Sequence, residues 1–196
     1  MIPFNHLGFV FKRFGKLVYP NAVGFELCAL LKHIKNKAKV LDIGAGTGMM
    51  CEFAYICRED LLFTAVDPAE GMLKFTPEYV TTHQATAEAL PFEDNSFDVA
   101  LMGESLHHLQ DVDKSLAETV RVLKDGAVLF IYDFDKSKFM GKSIWKVEKL
   151  LGEPGNFFVP SELEKKLSEL GFEVHITQYG WRYTITAILN SHPASN

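Results

Sequence analysis

Glycines at alternate positions, Gly44, Gly46 and Gly48, follow the apolar run Val40-Leu41-Asp42-Ile43 and precede residues with helical periodicity. That order describes a buried strand, a tight turn and the start of a helix. Glycine has no Cβ, so the turn takes positive φ and a bulky ligand can lie on bare main chain. The helix behind it starts with unpaired N–H groups. A second apolar run, Leu61 to Val66, leads into Asp67. A carboxylate at the carboxyl end of the neighbouring strand is placed to accept hydrogen bonds from a ribose diol. The chemistry these residues suit is the binding of a nucleoside.

Other residues with chemical capacity stand where later strands end. Met102-Gly103-Glu104-Ser105 closes one strand and leads into His107-His108, and Tyr132-Asp133 closes another, with Asp135 close behind. A histidine titrates near neutrality and suits a general base, although a pair of histidines in a loop equally suits hydrogen bonding to the main chain. Asp133 and Asp135 are placed to position a hydroxyl or amine. The two aspartates lack an accompanying asparagine pattern, so no metal is expected. The three cysteines, Cys28, Cys51 and Cys57, are odd in number and without C-x-x-C spacing. They read as reduced, mostly buried thiols of a cytoplasmic protein.

Alternating strands and helices must position these groups, which predicts a parallel sheet covered on both faces. After an aromatic-rich arm, Met1 to Pro20, a helix from about Asn21 carries Leu27, Leu30, Leu31 and Ile34 on one stripe. Strands are predicted over Ala38 to Ile43, Leu61 to Val66, Tyr79 to Gln84, Phe97 to Met102 and Ala127 to Asp133. Met50, Phe53, Ala54 and Cys57 mark the helix after the glycine turn. Asp111 reads as the N-cap of a helix bearing Val112, Leu116, Val120 and Leu123. Residues 134–159 are the least regular, with a short helix predicted over Ile144 to Leu151, and read as a lid or insertion. Ser161-Glu162-Leu163-Glu164 reads as a capping box. Strands over Phe172 to Gln178 and Arg182 to Leu189 close the chain, and 191–196 read as a disordered tail. The aromatic arm and residues 134–159 are expected to cover the cleft.

The chain has 196 residues, 47% of them hydrophobic, which is ample for the core of a single domain spanning 1–196. Its formal net charge of −5 gives no overall footprint of a nucleic-acid binder. Local basic groups such as Lys32, Lys35, Lys37 and Lys39 read as solvated helix faces and ends. No segment approaches a membrane span, and nothing in the sequence sets an oligomeric state.

The dinucleotide fingerprint would place its third glycine at position 49, which is Met49. An NAD-dependent oxidoreductase therefore fits the sheet but not the turn. G-x-G-x-G with Asp42 before it resembles motif I of the class I methyltransferases that use S-adenosylmethionine. His83 to Phe92 is similar to that family's adenine-contacting segment, Ser96 to Ala100 to its following strand, and Arg121 to Ala127 to the turn before its fifth strand. The likeness covers roughly Lys39 to Asp133 and extends to the methyltransferases of ubiquinone and menaquinone biosynthesis.

This resemblance implies a Rossmann-like sheet of seven strands, mostly parallel with an antiparallel last strand, and helices on both faces. It implies S-adenosylmethionine as cofactor, held by Asp42, Gly44, Ala45, Gly46, Thr47, Gly48, Asp67, Pro68, Met72, Thr86, Ala87, Glu88, Met102, Gly103 and Glu104. Tyr19 is implied as a substrate contact, and His107, His108 and Asp133 as candidate catalytic groups. The expected reaction is in-line methyl transfer to a small-molecule acceptor. A nucleoside-binding or regulatory protein on the same fold is the alternative. Thr86 stands where the family usually has an acidic residue, and Asp125 and Ala127 stand where quinone-directed relatives often have Pro and Gly. The N/D-P-P-Y/F motif of amino-directed DNA methyltransferases is missing, so nucleic acid is not an expected partner. Acceptor choice lies with lid residues that follow no general code.

Overall fold

Each apolar run becomes a strand whose alternate side chains feed two cores. The computed structural model describes residues 8, 9, 12, 13 and 19–190. In chain order the elements are α1 (Asn21–Leu31), β1 (Lys39–Ile43), α2 (Met49–Cys57), β2 (Leu62–Asp67), α3 (Glu70–Leu73) and β3 (Val80–Gln84). There follow β4 (Phe97–Gly103), a 3-10 turn (Leu106–His108), α4 (Val112–Val122), β5 (Leu123–Phe134), α5 (Phe139–Leu150), α6 (Pro160–Glu169), β6 (Phe172–Tyr179) and β7 (Arg182–Leu189).

The seven strands lie in the order β3-β2-β1-β4-β5-β7-β6. β1 pairs in parallel with β2 and β4, β4 pairs in parallel with β5, and β7 runs antiparallel to β5 and β6. The chain winds outward from β1 to β3 and then returns to β4, so its direction of winding reverses between β1 and β4. In open α/β sheets ligands bind at the carboxyl ends of the strands at such a reversal.

Successive residues in a strand point to opposite faces. In β4, Val99 and Leu101 join Val23, Leu27, Leu31, Met50 and Ala54 on the α1–α2 side. Ala100 and Met102 join Leu116, Leu163 and Leu167 on the α4–α6 side. Near-continuous burial of β4 and β5 reflects helices on both faces. No helix among the described residues is long and apolar enough to cross a membrane.

Several local expectations need correction. Cys28 and Cys57, expected as free thiols, form a disulfide with a Cα–Cα distance of 5.2 Å, while Cys51 is free and buried. The reason is helix packing, because α1 and α2 lie side by side and place the two sulfurs together. The helix expected to reach Leu123 ends at Val122, and β5 starts directly at Leu123. Its register with β4 shifts between Phe97 and Val99, which absorbs the turn residues Lys124 to Gly126 into an irregular strand start. The capping box expected at Ser161 is displaced. α6 begins at Pro160, where the missing N–H costs no bond, and Glu162 Oε2 accepts from the Val159 amide at 3.3 Å. Phe139 to Leu150 forms a longer helix than the one expected over Ile144 to Leu151. The 191–196 tail and most of the arm, Met1 to Pro20, lie outside the described residues.

Candidate active site

The carboxyl ends of β1, β2, β4 and β5 form one rim. On the β1–β2 side the glycine turn is fastened by main-chain contacts. The Gly44 and Ala45 amides donate to the Val66 carbonyl at 2.8 and 3.0 Å. Gly44, Gly46 and Gly48 have φ of 68°, 54° and 78°, a region in which a Cβ is strained. At Gly44 a Cβ would also lie 2.6 Å from the Cβ of Ser105, whose hydroxyl donates to the Ile43 carbonyl at 2.8 Å. The turn is therefore a backbone cradle that side chains would fill.

Asp67 ties this cradle to the next strand. Its Oδ2 accepts from the Gly46 amide at 2.9 Å and its Oδ1 from the Ala69 amide at 2.8 Å. Each carboxylate oxygen retains a further acceptor position, enough for a ribose diol. Burial raises the Asp67 carboxyl above its ordinary range, with the two amides opposing that shift. Asp42 is buried beneath the turn, and burial pushes its carboxyl up to about 7 against an opposing effect from nearby Cys51. Met72 packs over Gly46, with its methyl 3.2 Å from where a Cβ would stand. Pro68 is held by Gln84, whose Nε2 donates to its carbonyl at 3.0 Å.

The remaining expected donor residues take different parts. Thr47 and Ala87 are buried, and Thr86 is exposed beside Ala87. Glu88 Oε1 accepts from the Gln110 and Asp111 amides at 2.9 and 3.1 Å, which secures the turn after His108. The Met102 side chain points into the α4–α6 core, leaving only its main chain near the rim. The Gly103 carbonyl accepts from the Tyr19 hydroxyl at 3.1 Å, and the Tyr19 ring lies 5.1 Å from that of Tyr132. Glu104 has φ 52°, uncommon outside glycine; strain of about 1–3 kcal/mol at one residue is found preferentially at functional sites.

On the β4–β5 side the groups are side chains. His107 Nδ1 lies 2.6 Å from Asp133 Oδ1, and His107 Nε2 lies 3.6 Å from Glu148 Oε1 on α5. Burial pulls the His107 imidazole down, but the two carboxylates outweigh it and raise the pKa to about 10. His108 moves the other way, to about 4, through burial and the neighbouring positive ring, with its Nδ1 3.6 Å from Glu153 Oε2. Glu104 is raised to about 8 by burial, against opposing attraction from Arg182 and His107. Arg182 lies 3.9 Å from Glu104 Oε1 and 4.0 Å above the Trp181 ring. His107, His108 and Glu148 bring ligand atoms within 4.8 Å of one another. A protonated His107 between the two carboxylates offsets one of their two charges.

Of the two aspartates, only Asp133 belongs to this cluster. Asp135 Oδ1 accepts from the Ser137 amide and hydroxyl at 2.8 and 2.6 Å, and its Oδ2 accepts from Gln178 at 3.2 Å. It organises the start of α5. Glu148, Glu153, Arg182 and Asn156 went unread in the sequence. Asn156 bonds to the Leu109 and His107 carbonyls at 2.7 and 2.9 Å, closing residues 153–158 onto the 3-10 turn. None sits in a motif, and only packing brings them to the rim.

The comparisons agree with this geometry. Residues 41–131 match the methyltransferase domain family. A ubiquinone/menaquinone biosynthesis C-methyltransferase of Shewanella piezotolerans is 39% identical over 110 residues, covering 51% of this chain and 44% of that protein. The chain thus spans less than half the length of this curated relative. Among solved structures, the YcgJ protein of Bacillus subtilis aligns with TM-score 0.75 and 18% identity, over 88% of this chain and all of that one. A Thermotoga maritima S-adenosylmethionine-dependent methyltransferase, described as a possible histamine N-methyltransferase, aligns with TM-score 0.67 and 24% identity, over 93% and 99% of the two chains. The strand order, the glycine cradle with its Asp67 clasp and the matched segment agree: over residues 41–131 the chain is similar to the methyltransferase domain family, and its fold is the one these solved structures share, an S-adenosylmethionine-dependent methyltransferase among them.

Proposed function

We propose that this chain, as a single domain, transfers a methyl group from S-adenosylmethionine to a small-molecule acceptor at the β4–β5 end of the rim. The observation that carries the reading is the glycine cradle clasped by Asp67 at the reversal between β1 and β4. S-adenosylmethionine supplies an electrophilic methyl on a sulfonium, which departs as a neutral thioether. Asp67 would receive the ribose hydroxyls, the bare main chain of the cradle and Asp42 would border the methionine part, and Pro68, Met72 and the Ala87 amide would border the adenine. Thr86 offers a neutral acceptor to the adenine amino group.

The chain's part is then alignment, exclusion of water and disposal of the acceptor's proton. The Phe134, Phe157 and Trp181 rings keep the β4–β5 side apolar. Tyr19 stands between the rim and Tyr132, in position to touch an acceptor. Asp133 fixes the His107 ring through Nδ1, so Nε2 is the atom directed towards Glu148 on α5. We keep a free small molecule, rather than nucleic acid, as acceptor and a cytoplasmic setting, although the Cys28–Cys57 disulfide removes the reduced-thiol argument for that setting.

The test is incubation with methyl-labelled S-adenosylmethionine and panels of phenols, amines and enolisable carbon acids, following label transfer and thioether release. Label in product from wild type but not from Asp67→Ala supports the reading. Full enclosure of His107 by Asp133, Glu148, Phe134 and Phe157 favours a second reading, a nucleoside-binding protein in which that cluster is structural. Tight donor binding without label transfer to any panel would select it.

A further inference from the structure

α5 has three faces, and only one is occupied by the fold. Gly141, Trp145 and Glu148, spaced i, i+4 and i+7, face inward. Gly141 rests so close to the Asp135 carbonyl that a Cβ would overlap it, Trp145 Nε1 donates to the Gly155 carbonyl at 3.1 Å, and Glu148 reaches His107. Met140, Val147 and Leu151 form a second row, with Phe139 and Leu150 beside it, and all five are exposed. Phe139 is 82% and Leu150 89% accessible, values that leave nothing among the described residues to bury them. Exposed large apolar side chains elsewhere are scattered, as is ordinary for a soluble surface.

The third face is basic. Lys138, Lys142, Lys146 and Lys149, at i, i+4, i+8 and i+11, are exposed alongside the Phe139–Leu150 row. Lys138, Lys142 and Lys146 make no ion pair among the described residues, and Lys149 donates to the Pro154 carbonyl. The acidic residues of this segment point the other way, since Glu148 meets His107 and Glu153 is buried by His108. A helix with an apolar face flanked by lysines, on a chain whose net charge is −5, has the charge distribution of a segment that lies on an anionic lipid surface. The described residues of the arm are elsewhere, with Gly8 against Phe75 and Lys12 paired with Glu52 of α2.

We infer that α5 docks this protein on anionic bilayers through Phe139, Met140, Val147, Leu150 and Leu151, with the adjoining lysines facing lipid phosphates. A groove of about 370 Å³ on this face is lined by Ser143, Ile144, Val147, Glu148 and Leu151. Taken with the methyl-transfer reading, on which this clause rests, docking of this face holds the rim beside the bilayer, where a lipophilic acceptor would be concentrated.

The test is co-sedimentation of the full chain, without donor or acceptor, with vesicles of phosphatidylcholine alone or mixed with phosphatidylglycerol. Wild type is expected on the mixed vesicles, at least about tenfold more weakly on phosphatidylcholine, and with affinity falling as salt rises. The double variant Phe139→Ser/Leu150→Ser and the triple variant Lys138→Glu/Lys142→Glu/Lys146→Glu should each lose at least about tenfold while keeping the wild-type melting temperature within a few degrees, because the altered side chains are exposed. Failure of wild type to bind the mixed vesicles, or unchanged binding in both variants, overturns the inference. So does a wild-type dimer in light scattering that becomes monomeric in the Phe139/Leu150 variant, since a second copy would then cover the face. Vesicle binding is read without catalysis, so its failure leaves the methyl-transfer reading untouched, and the reverse also holds.

Discussion

The two halves of the rim are made of different material. The β1–β2 half is main chain: the Gly44, Ala45 and Gly46 amides bond to Val66 and Asp67, and nearly all of it comes from two short stretches of sequence. The β4–β5 half is side chain, with Glu104 from the loop after β4 and His107, Asp133, Glu148 and Arg182 from four separate elements. Main-chain geometry set by glycines is insensitive to neighbouring side chains, and suits a ligand shared by many proteins. A buried cluster of charged side chains changes with every substitution, which suits the part of a site that chooses an acceptor. It follows that the two halves should respond separately to mutation.

The largest expected effect falls on stability and lies in the side-chain half. Removing one partner of a buried ion pair leaves an uncompensated charge and costs about 3–5 kcal/mol. His107→Ala, which strands Asp133 and Glu148, should lower unfolding free energy in urea by that order while donor affinity in the folded protein stays within about threefold. A matching loss of donor affinity would merge the two halves into one. Next comes Asp67→Ala in the main-chain half. Loss of hydrogen bonds to a charged group costs about 1.5–3 kcal/mol, more than tenfold in affinity, and the thermal shift produced by S-adenosylhomocysteine should shrink accordingly. An unaltered shift would take Asp67 out of the donor site.

A pH titration sharpens the contrast. The His107 pKa is raised from 6.5 to about 10 in the folded chain, so the folded state binds the proton more tightly. The stability this adds is complete below about pH 6.5 and disappears as pH rises through about 10. Glu104, raised to about 8, and Asp42, raised to about 7, lose their contributions at lower pH. Between about pH 8 and 9, largely below the range in which buried Cys51 and the buried tyrosines, also raised by burial, titrate in the unfolded chain, His107 sets the decline, and His107→Gln should flatten it there in denaturation curves. An equal slope in that variant would assign the decline to other groups. The smallest effect is expected at exposed Thr86. Thr86→Asp provides a charged acceptor for the adenine amino group and should tighten donor binding by about 1 kcal/mol, roughly fivefold by calorimetry. Equal or weaker binding would remove residue 86 from the adenine edge.

This difference in material also explains what the sequence made legible. Gly44, Gly46, Gly48 and Asp67 could be read because turn and strand end are local, and the alternation of strands and helices followed from the apolar runs. Arg182 and Glu148 could not be read, because their partners Glu104 and His107 lie far away in the chain and meet them only when β7 inserts beside β5 and α5 folds back. The Cys28–Cys57 bond was hidden for the same reason: cysteine spacing carries no record of α1 lying beside α2. Asp135 looked equivalent to Asp133 in sequence, yet its place two residues further on, past the end of β5, puts it at the start of α5 rather than against His107. The apolar face of α5 fell within a segment whose glycines and prolines masked its helical period.

The most direct test of the central claim is calorimetric titration of the wild-type chain with S-adenosylmethionine and, separately, with NAD. A cradle of three alternate glycines closed by Asp67, without the third glycine of the dinucleotide turn, predicts saturable heat with S-adenosylmethionine at a one-to-one ratio and none with NAD. Saturable binding of NAD, or no heat with S-adenosylmethionine on a folded sample, would contradict the account.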